Sequence, residues 1–318
     1  MEKLGTTIGS WSGKDVLSTE QLHAENVRYL FQVADHMKDM VARQGGDDTL
    51  KGKVMANVFF EPSTRTSCSF QAAMLRLGGS VVCVNESSSS SQKGETLSDT
   101  MRCLECYADV TVLRHPVKGA AATAAAASRK PVLNAGDGVG EHPTQALLDL
   151  YTIYKEAKLA EMNLTGKVIT MVGDLKNGRT VHSLAKLLAH FNVTLNYVSP
   201  ESLKMPKYIV DELNAAGVKQ HETADLDSVL ASSDVLYITR ERFVTVDEYE
   251  AVKDSFIITP TTLTKVRAKA TMILMHPLPR VNEIAVEVDA DPRAAYFRQM
   301  EYGMYVRMAI LALVLGKA

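Results

Sequence analysis

The sequence predicts an α/β fold built from two doubly wound parallel-sheet domains. Strand-like apolar runs alternate with helical patterns between residues 54 and 134, and a second alternation occupies the later half of the chain. Such alternation is typical of βαβ units and of parallel sheets. With 318 residues, the chain is long enough for two domains of ordinary size. The strands of the second alternation are expected near 167–172, 193–198, 234–238, 256–258 and 272–275.

Three long apolar patterns predict helices. Residues 14–44 indicate an N-terminal helix, and the alanine run 120–127, broken only by Thr123, is strongly helix-forming and indicates a packed helix instead of a linker. The final helix is expected from about residue 292 to 315, because its apolar residues fall mostly on one face.

Composition excludes several classes of function. The formal net charge of −2 provides no basic field for nucleic acid, so no nucleic-acid partner is expected. The N-terminus has no secretory apolar region, and no apolar run reaches about twenty residues, so we expect no membrane partner and a soluble, cytoplasmic protein.

The chain has four cysteines, which fit a reducing compartment. Cys103-x-x-Cys106 invites a redox or zinc interpretation, but no second pair of Cys or His stands near it. Because the two cysteines lie three apart on an expected helix, we predict that they occupy a core or half-buried face.

The first candidate site is a strand that runs directly into a helix. Residues 54–60 indicate a buried strand that ends at Pro62, and a helix is expected from Thr64 to Leu77 with Ser63 as N-cap. Free N–H groups at a helix start, hydroxyls and the guanidinium of Arg65 together suit a phosphate, although no Walker motif is present. A capped surface helix with a solvated arginine explains this stretch alone equally well.

Two further segments carry polar groups that suit an anion. The serine run 87–91 is typical of a loop with many hydroxyl donors, and Lys93-Gly94 places a charge on a hinge; a disordered polar loop is the alternative. Arg114 ends the strand 110–114, and ligands of open α/β sheets bind at the carboxyl ends of strands. A surface arginine in a loop is the other interpretation of Arg114.

A glycine-rich turn separates the strand 131–134 from a helix that begins near Pro143. His142 lies at the N-cap side of that helix, and Gln145 lies in its first turn. The helix dipole at this position favours a neutral imidazole that can donate to a carbonyl oxygen. A histidine with a purely structural role remains the alternative.

The strand 168–172 also runs into a glycine-bounded turn and a helix, like the opening of a nucleotide-binding unit. The G-x-G-x-x-G fingerprint is absent, which disfavours a dinucleotide-binding oxidoreductase. Lys176 and Arg179 instead suit an anionic ligand, either carboxylate or phosphate.

Taken together, these motifs resemble the aspartate/ornithine carbamoyltransferase family. Within it they resemble the aspartate branch found in eukaryotic multifunctional pyrimidine-synthesis proteins. H-P-L-P-R and the Lys93 loop separate the aspartate branch from the ornithine branch. The matching stretches are F-x-E-P-S-T-R-T-S (59–67), S-S with K-G-E (88–95), L-R-H-P (113–116), G-D-G-x-x-E-H-P-T-Q-A-L-L-D (136–149), V-G-D-L-K-x-G-R-T-V-H-S (172–183) and H-P-L-P-R-V-x-E-I (276–284).

The resemblance implies a carbamoyl phosphate-binding domain, 1–142 with the C-terminal helix 292–318, and an aspartate-binding domain, 143–291. Two interdomain helices join them. The implied reaction transfers the carbamoyl group of carbamoyl phosphate to the α-amine of L-aspartate, giving N-carbamoyl-L-aspartate and phosphate for pyrimidine biosynthesis, with no cofactor and no metal.

The resemblance also implies a role for each matching residue. The site would be shared within a homotrimer, with Ser89 and Lys93 reaching in from the neighbouring subunit, and other domains of a multifunctional polypeptide are possible partners. The implied catalytic residues are Arg65, Thr66, Arg114 and His142. Carbamoyl phosphate would bind Ser63, Thr64, Arg65, Thr66, Ser89, Lys93, Arg114, His142, Gln145, Pro277 and Leu278. Aspartate would bind Lys93, Arg179, Arg240 and Leu278.

One departure concerns Arg240. The family pattern T-R-x-Q-x-E-R-F is three residues shorter here, where residues 239–243 read T-R-E-R-F. Either the aspartate loop is shortened, or the numbered chain leaves out residues of a longer loop. An ornithine-type transferase and a catalytically impaired trimeric scaffold remain the alternatives for function.

Overall fold

The computed structural model describes Leu4 and residues 6–85, 93–239, 256–265 and 268–318. Two of the predicted site residues, Ser89 and Arg240, therefore lie outside the described residues. The chain divides into two compact units, one formed by Met1–Tyr151 with Met300–Ala318 and the other by Thr152–Gln299. Each unit contains one entirely parallel sheet, so the predicted pair of parallel-sheet α/β domains is confirmed.

The first unit has a four-stranded sheet in the order β2-β1-β3-β4. Its strands are β1 (Val54–Phe59), β2 (Ser80–Asn85), β3 (Val110–His115) and β4 (Val132–Asp137). Its helices are α1 (Ile8–Trp11), α2 (Ala24–Gln44), α3 (Thr64–Arg76), α4 (Leu97–Leu104), α5 (Ala120–Ala127) and the start of α6 (Pro143–Glu156).

The second unit has a five-stranded sheet in the order β7-β6-β5-β8-β9. Its strands are β5 (Val168–Val172), β6 (Thr194–Val198), β7 (Lys219–Thr223), β8 (Val235–Ile238) and β9 (Ile273–Met275). Its helices are α7 (Arg179–Leu188), α8 (Lys207–Ala215), α9 (Asp227–Leu230) and α10 (Pro260–Lys265). The division between the units falls inside α6 and inside the C-terminal helix α11 (Tyr296–Val314), so both helices contribute residues to each unit.

The burial of each strand explains which strands could be predicted from apolar runs in the sequence. The strands β1, β3 and β4 are buried along almost their whole length, as continuous apolar runs in parallel sheets predict. In contrast, the edge strand β2 leaves most of its residues exposed, among them Val82 and Cys83. The exposed edge strand of this unit is therefore more apolar than a solvent-facing edge usually is.

Several element predictions were wrong. The N-terminal helix begins at Ala24 and not at residue 14; Val16 instead forms a bridge with Leu133, and Ser18 caps a short 3-10 helix at Thr19–Gln21. Residues 256–258 form no strand among the described residues, because only Ile258 pairs, in a single bridge to Ile284.

The prediction of a core or half-buried face for the cysteine pair was also wrong. Both Cys103 and Cys106 are exposed, and Cys106 lies beyond the end of α4. Within the described residues, no group of three or more His, Cys, Asp and Glu side chains is arranged to hold a metal ion. None of the described helices is both long and apolar enough to cross a bilayer.

Candidate functional site

The first unit brings its predicted anion ligands to one edge of the sheet. Strands β1 and β3 are neighbours in the sheet. The chain passes from β1 to β2 on one side and from β3 to β4 on the other, so the strand order reverses between β1 and β3. Ligands of such sheets bind outside the carboxyl ends of the strands at this switch point. Phe59 pairs in register with Arg114, and Phe60 N–H donates to the Arg114 carbonyl at 2.8 Å. The helix-start cluster, defined as Ser63, Thr64, Arg65 and Thr66, follows β1 at once.

The start of α3 leaves hydrogen-bonding capacity open. Ser63 adopts the extended backbone of an N-cap, yet its side chain makes no capping hydrogen bond. One residue past the cluster, the hydroxyl of Ser67 accepts from Asn57 of β1 and from Gln71, both at 2.9 Å. These bonds tie the first turn of α3 to the sheet, so its N–H groups keep a fixed direction.

Arg65 is a half-buried cation whose described neighbours supply no carboxylate partner. Burial lowers the pKa of its guanidinium, because desolvation disfavours the charged form. A partly desolvated arginine at a helix N-terminus gains most from a bound anion.

Arg114 is held in place by the segment that follows β1. Its Nε lies 3.2 Å from a carboxylate oxygen of Glu61, and its Nη1 lies 3.5 Å from the carbonyl oxygen of Ala135. The side chain of Arg114 is only 16% exposed. The guanidinium thus spans the ends of three strands, with its direction set by one carboxylate.

The turn before His142 is fixed by hydrogen bonds and by one glycine. The Asp137 carboxylate accepts from Glu141 N–H at 2.7 Å and from Gly119 N–H at 2.8 Å. Gly138 has a positive φ of 58°, and a Cβ there would collide with the Pro116 carbonyl oxygen. His142, 3% exposed, is therefore presented at the start of α6 by a rigid turn.

Gln145 continues the first turn of α6 and makes a buried contact that sequence reasoning missed. Its Nε2 donates to Oδ1 of Asp149 at 2.8 Å, and both residues are buried. A third buried polar residue, Arg307 of α11, stacks on Phe70 and is 4% exposed. The only sequence signal for the first contact was the spacing of four residues on one helix.

Ser89 and Lys93 are predicted to reach into the site of a neighbouring subunit, and of these two only Lys93 lies among the described residues. It is exposed and precedes Gly94, which has a positive φ of 90°. The N-cap of α4, Thr96, follows directly, with its hydroxyl accepting from Asp99 N–H at 3.1 Å. Lys93 therefore lies on an exposed bend at the start of α4.

The second unit has its own switch point, between β5 and β8. Val172 pairs in register with Ile238, and Thr239 N–H donates to the Val172 carbonyl at 2.8 Å. After β5, the buried Asp174 accepts from Asn177 N–H at 2.9 Å, which closes the turn before α7. Arg179 is the first residue of α7 and is half-buried at this edge of the sheet.

Pro277 and Leu278 lie on a second loop of that unit, which is anchored by a buried histidine. Leu278 N–H donates to Nδ1 of His276 at 2.8 Å, so this nitrogen accepts, and the N–H at Nε2 donates to Glu283 at 2.9 Å. Leu278 has a positive φ of 55°, and the bond to Pro279 is cis.

Glu283 is the carboxylate that holds this loop. Burial alone would raise its pKa, but hydrogen bonds from His276 and from backbone N–H groups, including that of Val281, lower the pKa to about 2. Farther along, Arg280 pairs with Asp289 and stacks on Tyr296. Sequence reasoning missed His276, Glu283, Asp289 and Tyr296, because nothing in their spacing predicts the pairs they form.

Comparisons with known proteins agree over nearly the whole chain. The family model described as aspartate/ornithine carbamoyltransferase, carbamoyl-P binding domain, matches residues 14–155, and the model for the Asp/Orn binding domain of the same family matches residues 165–314. The multifunctional protein pyr1-3 of Dictyostelium discoideum is 57% identical over 310 residues, which cover 96% of this chain and 14% of that protein. The chain thus spans about one seventh of this multifunctional relative.

Single-function relatives match over their full length. The aspartate carbamoyltransferase catalytic subunit of Thermococcus gammatolerans is 49% identical over 310 residues, covering 96% of this chain and 99% of that protein. The crystal structure of aspartate transcarbamoylase from Trypanosoma cruzi with carbamoyl phosphate and aspartate has a TM-score of 0.91 at 46% identity, covering 96% of both chains. The same enzyme with N-(phosphonacetyl)-L-aspartic acid also gives a TM-score of 0.91, at 45% identity over 96% of this chain and 97% of that one.

Proposed function

Because this chain belongs to the aspartate/ornithine carbamoyltransferase family, we propose that it transfers the carbamoyl group of carbamoyl phosphate to the α-amine of L-aspartate. The products are N-carbamoyl-L-aspartate and phosphate, the first of which serves pyrimidine biosynthesis. The observation that carries the proposal is that the helix-start cluster and Arg114 lie at the carboxyl ends of the neighbouring strands β1 and β3, at the switch point of the first sheet.

The first unit supplies the groups for carbamoyl phosphate. Ser63, Thr64, Arg65 and Thr66 hold the phosphate through hydroxyls, helix N–H groups and one guanidinium. Arg114 binds both the phosphate and the carbonyl oxygen, and its contact with Glu61 supports a fixed direction for that donor. His142 donates to the same carbonyl oxygen, while Gln145 and the carbonyl groups of Pro277 and Leu278 bind the carbamoyl amino group.

The second unit supplies the groups for aspartate. Arg179 and Arg240 bind the two carboxylates, as guanidinium geometry allows, and Leu278 and Lys93 complete the aspartate site. The buried His276–Glu283 contact supports this role for Leu278, because it holds the loop that carries the residue.

The chemistry needs only positioned groups of this chain. The α-amine of aspartate attacks the carbamoyl carbon, an oxyanion forms, and phosphate leaves with the amine proton. Arg65, Thr66, Arg114 and His142 stabilise the oxyanion, each as a preorganised donor. One such donor contributes about 3 kcal/mol to the stability of a transition state.

We propose the domain boundaries that the family resemblance implies: residues 1–142 with the helix 292–318 for carbamoyl phosphate, and residues 143–291 for aspartate. Two compact units support two domains, with divisions at Tyr151/Thr152 and Gln299/Met300. We further propose a cytoplasmic setting and, since the multifunctional relative is seven times longer, other domains of one polypeptide as partners.

A homotrimer with shared sites completes the proposal. Ser89 and Lys93 belong to a neighbouring subunit's site, so a single chain has no complete site. Two observations support this: Lys93 is exposed, and the segment that leads to it leaves the exposed edge strand β2, whose apolar residues include Val82. An exposed apolar edge is typical of a surface that another chain covers.

The experiment that tests the function measures carbamoyl-aspartate formation from carbamoyl phosphate while aspartate is titrated, with ornithine as a parallel acceptor. Turnover with aspartate alone is expected. Turnover with ornithine alone would replace the proposal by the ornithine-type reaction. A protein that binds carbamoyl phosphate but uses neither acceptor would favour a scaffold role, with the short segment 239–243 as the defect.

A further inference from the structure

A buried polar chain links Gln145 to Asp149 and extends to Arg307, and the last two have no role in the reaction proposed above. We infer that Asp149 and Arg307 are positioning residues, which fix the Gln145 amide with its oxygen toward the carbamoyl group; the inference rests on the proposed carbamoyl phosphate site. It predicts that these residues determine whether the site prefers an amino group over a methyl group at the carbamoyl carbon.

The contact between Gln145 and Asp149 sets the orientation of an amide. The two residues lie four apart on α6, and the Gln145 side chain donates to Oδ1 of Asp149 at 2.8 Å. Gln145 is 6% exposed and Asp149 is fully buried, so water does not compete for this bond. An ionised carboxylate only accepts hydrogen bonds, so the nitrogen of the amide must face it and the amide oxygen Oε1 must face away.

This orientation matches what a carbamoyl group needs. The amino group of carbamoyl phosphate carries N–H donors, and its binding requires acceptors in the site. Held by Asp149, Gln145 offers its oxygen as such an acceptor. If the amide turned by half a rotation, its own NH₂ would oppose the NH₂ of the substrate, and its oxygen would oppose the carboxylate of Asp149; each mismatch leaves buried polar groups without partners.

Arg307 supplies a buried positive charge that interacts with Asp149. Its side chain is 4% exposed and its guanidinium carbon lies 5.0 Å from the centre of the Phe70 ring, in electrostatic contact with Asp149 and with Arg114. Burial lowers the pKa of Arg307 to about 10, partly opposed by Asp149, so the side chain stays protonated at neutral pH. A buried carboxylate without a cation nearby would bind a proton instead.

One buried donor of Arg307 argues against a purely structural role for this side chain. Its Nε is buried and has no hydrogen-bond partner among the described residues. A cation selected for stability alone would be expected to satisfy its donors, because a buried unpaired N–H costs free energy. The guanidinium of Arg307 lies over the ring of Phe70, which belongs to the helix that starts at the helix-start cluster, and its charge interacts with Asp149.

The test compares three ligands that differ at one group: carbamoyl phosphate, acetyl phosphate, which carries a methyl group in place of the amino group, and inorganic phosphate. Their dissociation constants are measured by isothermal titration calorimetry on the full chain. In D149N, carbamoyl phosphate should bind about tenfold more weakly, the effect of about one hydrogen bond. Acetyl phosphate and phosphate should bind within about twofold of wild type, since neither carries the N–H groups that the Gln145 oxygen would accept from.

Two further variants separate charge from shape. R307M should reduce carbamoyl phosphate affinity in the same selective way, whereas R307K should keep an affinity near that of wild type because it keeps the charge.

D35N is the matched control. Asp35 accepts a hydrogen bond at 2.6 Å from the hydroxyl of Tyr151, which lies on α6 like Gln145, but Asp35 does not contact Gln145. Thermal unfolding of each variant reports any structural damage separately.

The inference is overturned if D149N weakens all three ligands equally, or if it changes the melting temperature without changing the preference for carbamoyl over acetyl phosphate. A wild-type protein with no such preference overturns it as well. These binding measurements use no aspartate, so they are independent of the activity assay. A failure to carbamoylate aspartate would refute the proposed function, whereas the preference for carbamoyl over acetyl phosphate decides this inference.

Discussion

Phe60 and Arg114 are joined by a backbone hydrogen bond of 2.8 Å, from the N–H of the first to the carbonyl of the second. The bond lies where the two central strands of the first sheet end, so the helix-start cluster and Arg114 share one rigid frame. Substitutions of the side chains at this edge should therefore change ligand binding with little effect on the position of the backbone.

R65K should reduce kcat by about 100-fold, as for one lost preorganised donor. A lysine keeps the charge but offers a single point donor in place of the planar fork of arginine. The melting temperature should not change, since Arg65 has no carboxylate partner among the described residues. Steady-state kinetics and thermal unfolding measure the two effects.

R76K is the control for this substitution, because Arg76 lies in the last turn of the same helix, far from its N-terminus. It should keep the wild-type kcat. Equal losses in both variants would mean that the helix as a whole, and not the guanidinium of Arg65, determines the rate.

G178A should raise the KM for aspartate by about tenfold. A Cβ at this position would lie 2.6 Å from the backbone oxygen of Asp174, so the turn after β5 must shift, and with it the next residue, Arg179. A small misplacement of a binding group is costly because its geometry is lost. Carbamoyl phosphate affinity, measured by calorimetry in the same variant, should remain at the wild-type value; a parallel loss would show that the change spreads to the first unit.

The pH dependence of stability should depend on Glu283. Its pKa in the folded protein is about 2, below the ordinary value of 4.5. A lowered pKa means that the folded state binds the proton more weakly, so this stabilisation is fully present above about pH 4.5 and is lost as the pH falls toward 2. It amounts to at most about 3 kcal/mol.

E283Q should be less stable than wild type at pH 7. The NH₂ of the glutamine would face backbone N–H groups that donate to the Glu283 carboxylate in the wild-type protein. Its stability should fall less than that of wild type between pH 5 and pH 3. Urea unfolding across this range measures both. Parallel curves for the two proteins would show that Glu283 is not the group that titrates.

K93A and R65A should complement each other if the sites are shared. Each variant alone should be nearly inactive. After random 1:1 mixing and reassembly, a site combining an intact Arg65 with an intact Lys93 of its neighbour forms in about one quarter of cases, so about one quarter of wild-type activity should return. No recovery, in an assembly shown to be mixed by mass spectrometry, would mean that each chain uses its own Lys93.

Sequence patterns predicted the buried parallel strands and the residues at their carboxyl ends, because both follow from apolar runs and turn chemistry. They did not predict β7, whose residues Lys219–Thr223 are polar and mostly exposed, so no apolar alternation marks it. They also did not reveal Asp149 and Arg307, since a charged residue in a helix ordinarily indicates a solvated face. Only the packing of α6, α3 and α11 makes these two charges buried.

The exposed edge strand β2 has a practical consequence for handling the protein. Its sequence, Ser-Val-Val-Cys-Val-Asn, combines high β-propensity with no charge and no proline, and in the described part of the chain β2 is the last strand at this edge of the sheet. If the proposed homotrimer covers this strand, dilution below the concentration at which the trimer forms would expose it. Loss of material on dilution or freezing should then follow protein concentration and the oxidation of Cys83 more closely than the melting temperature of the fold.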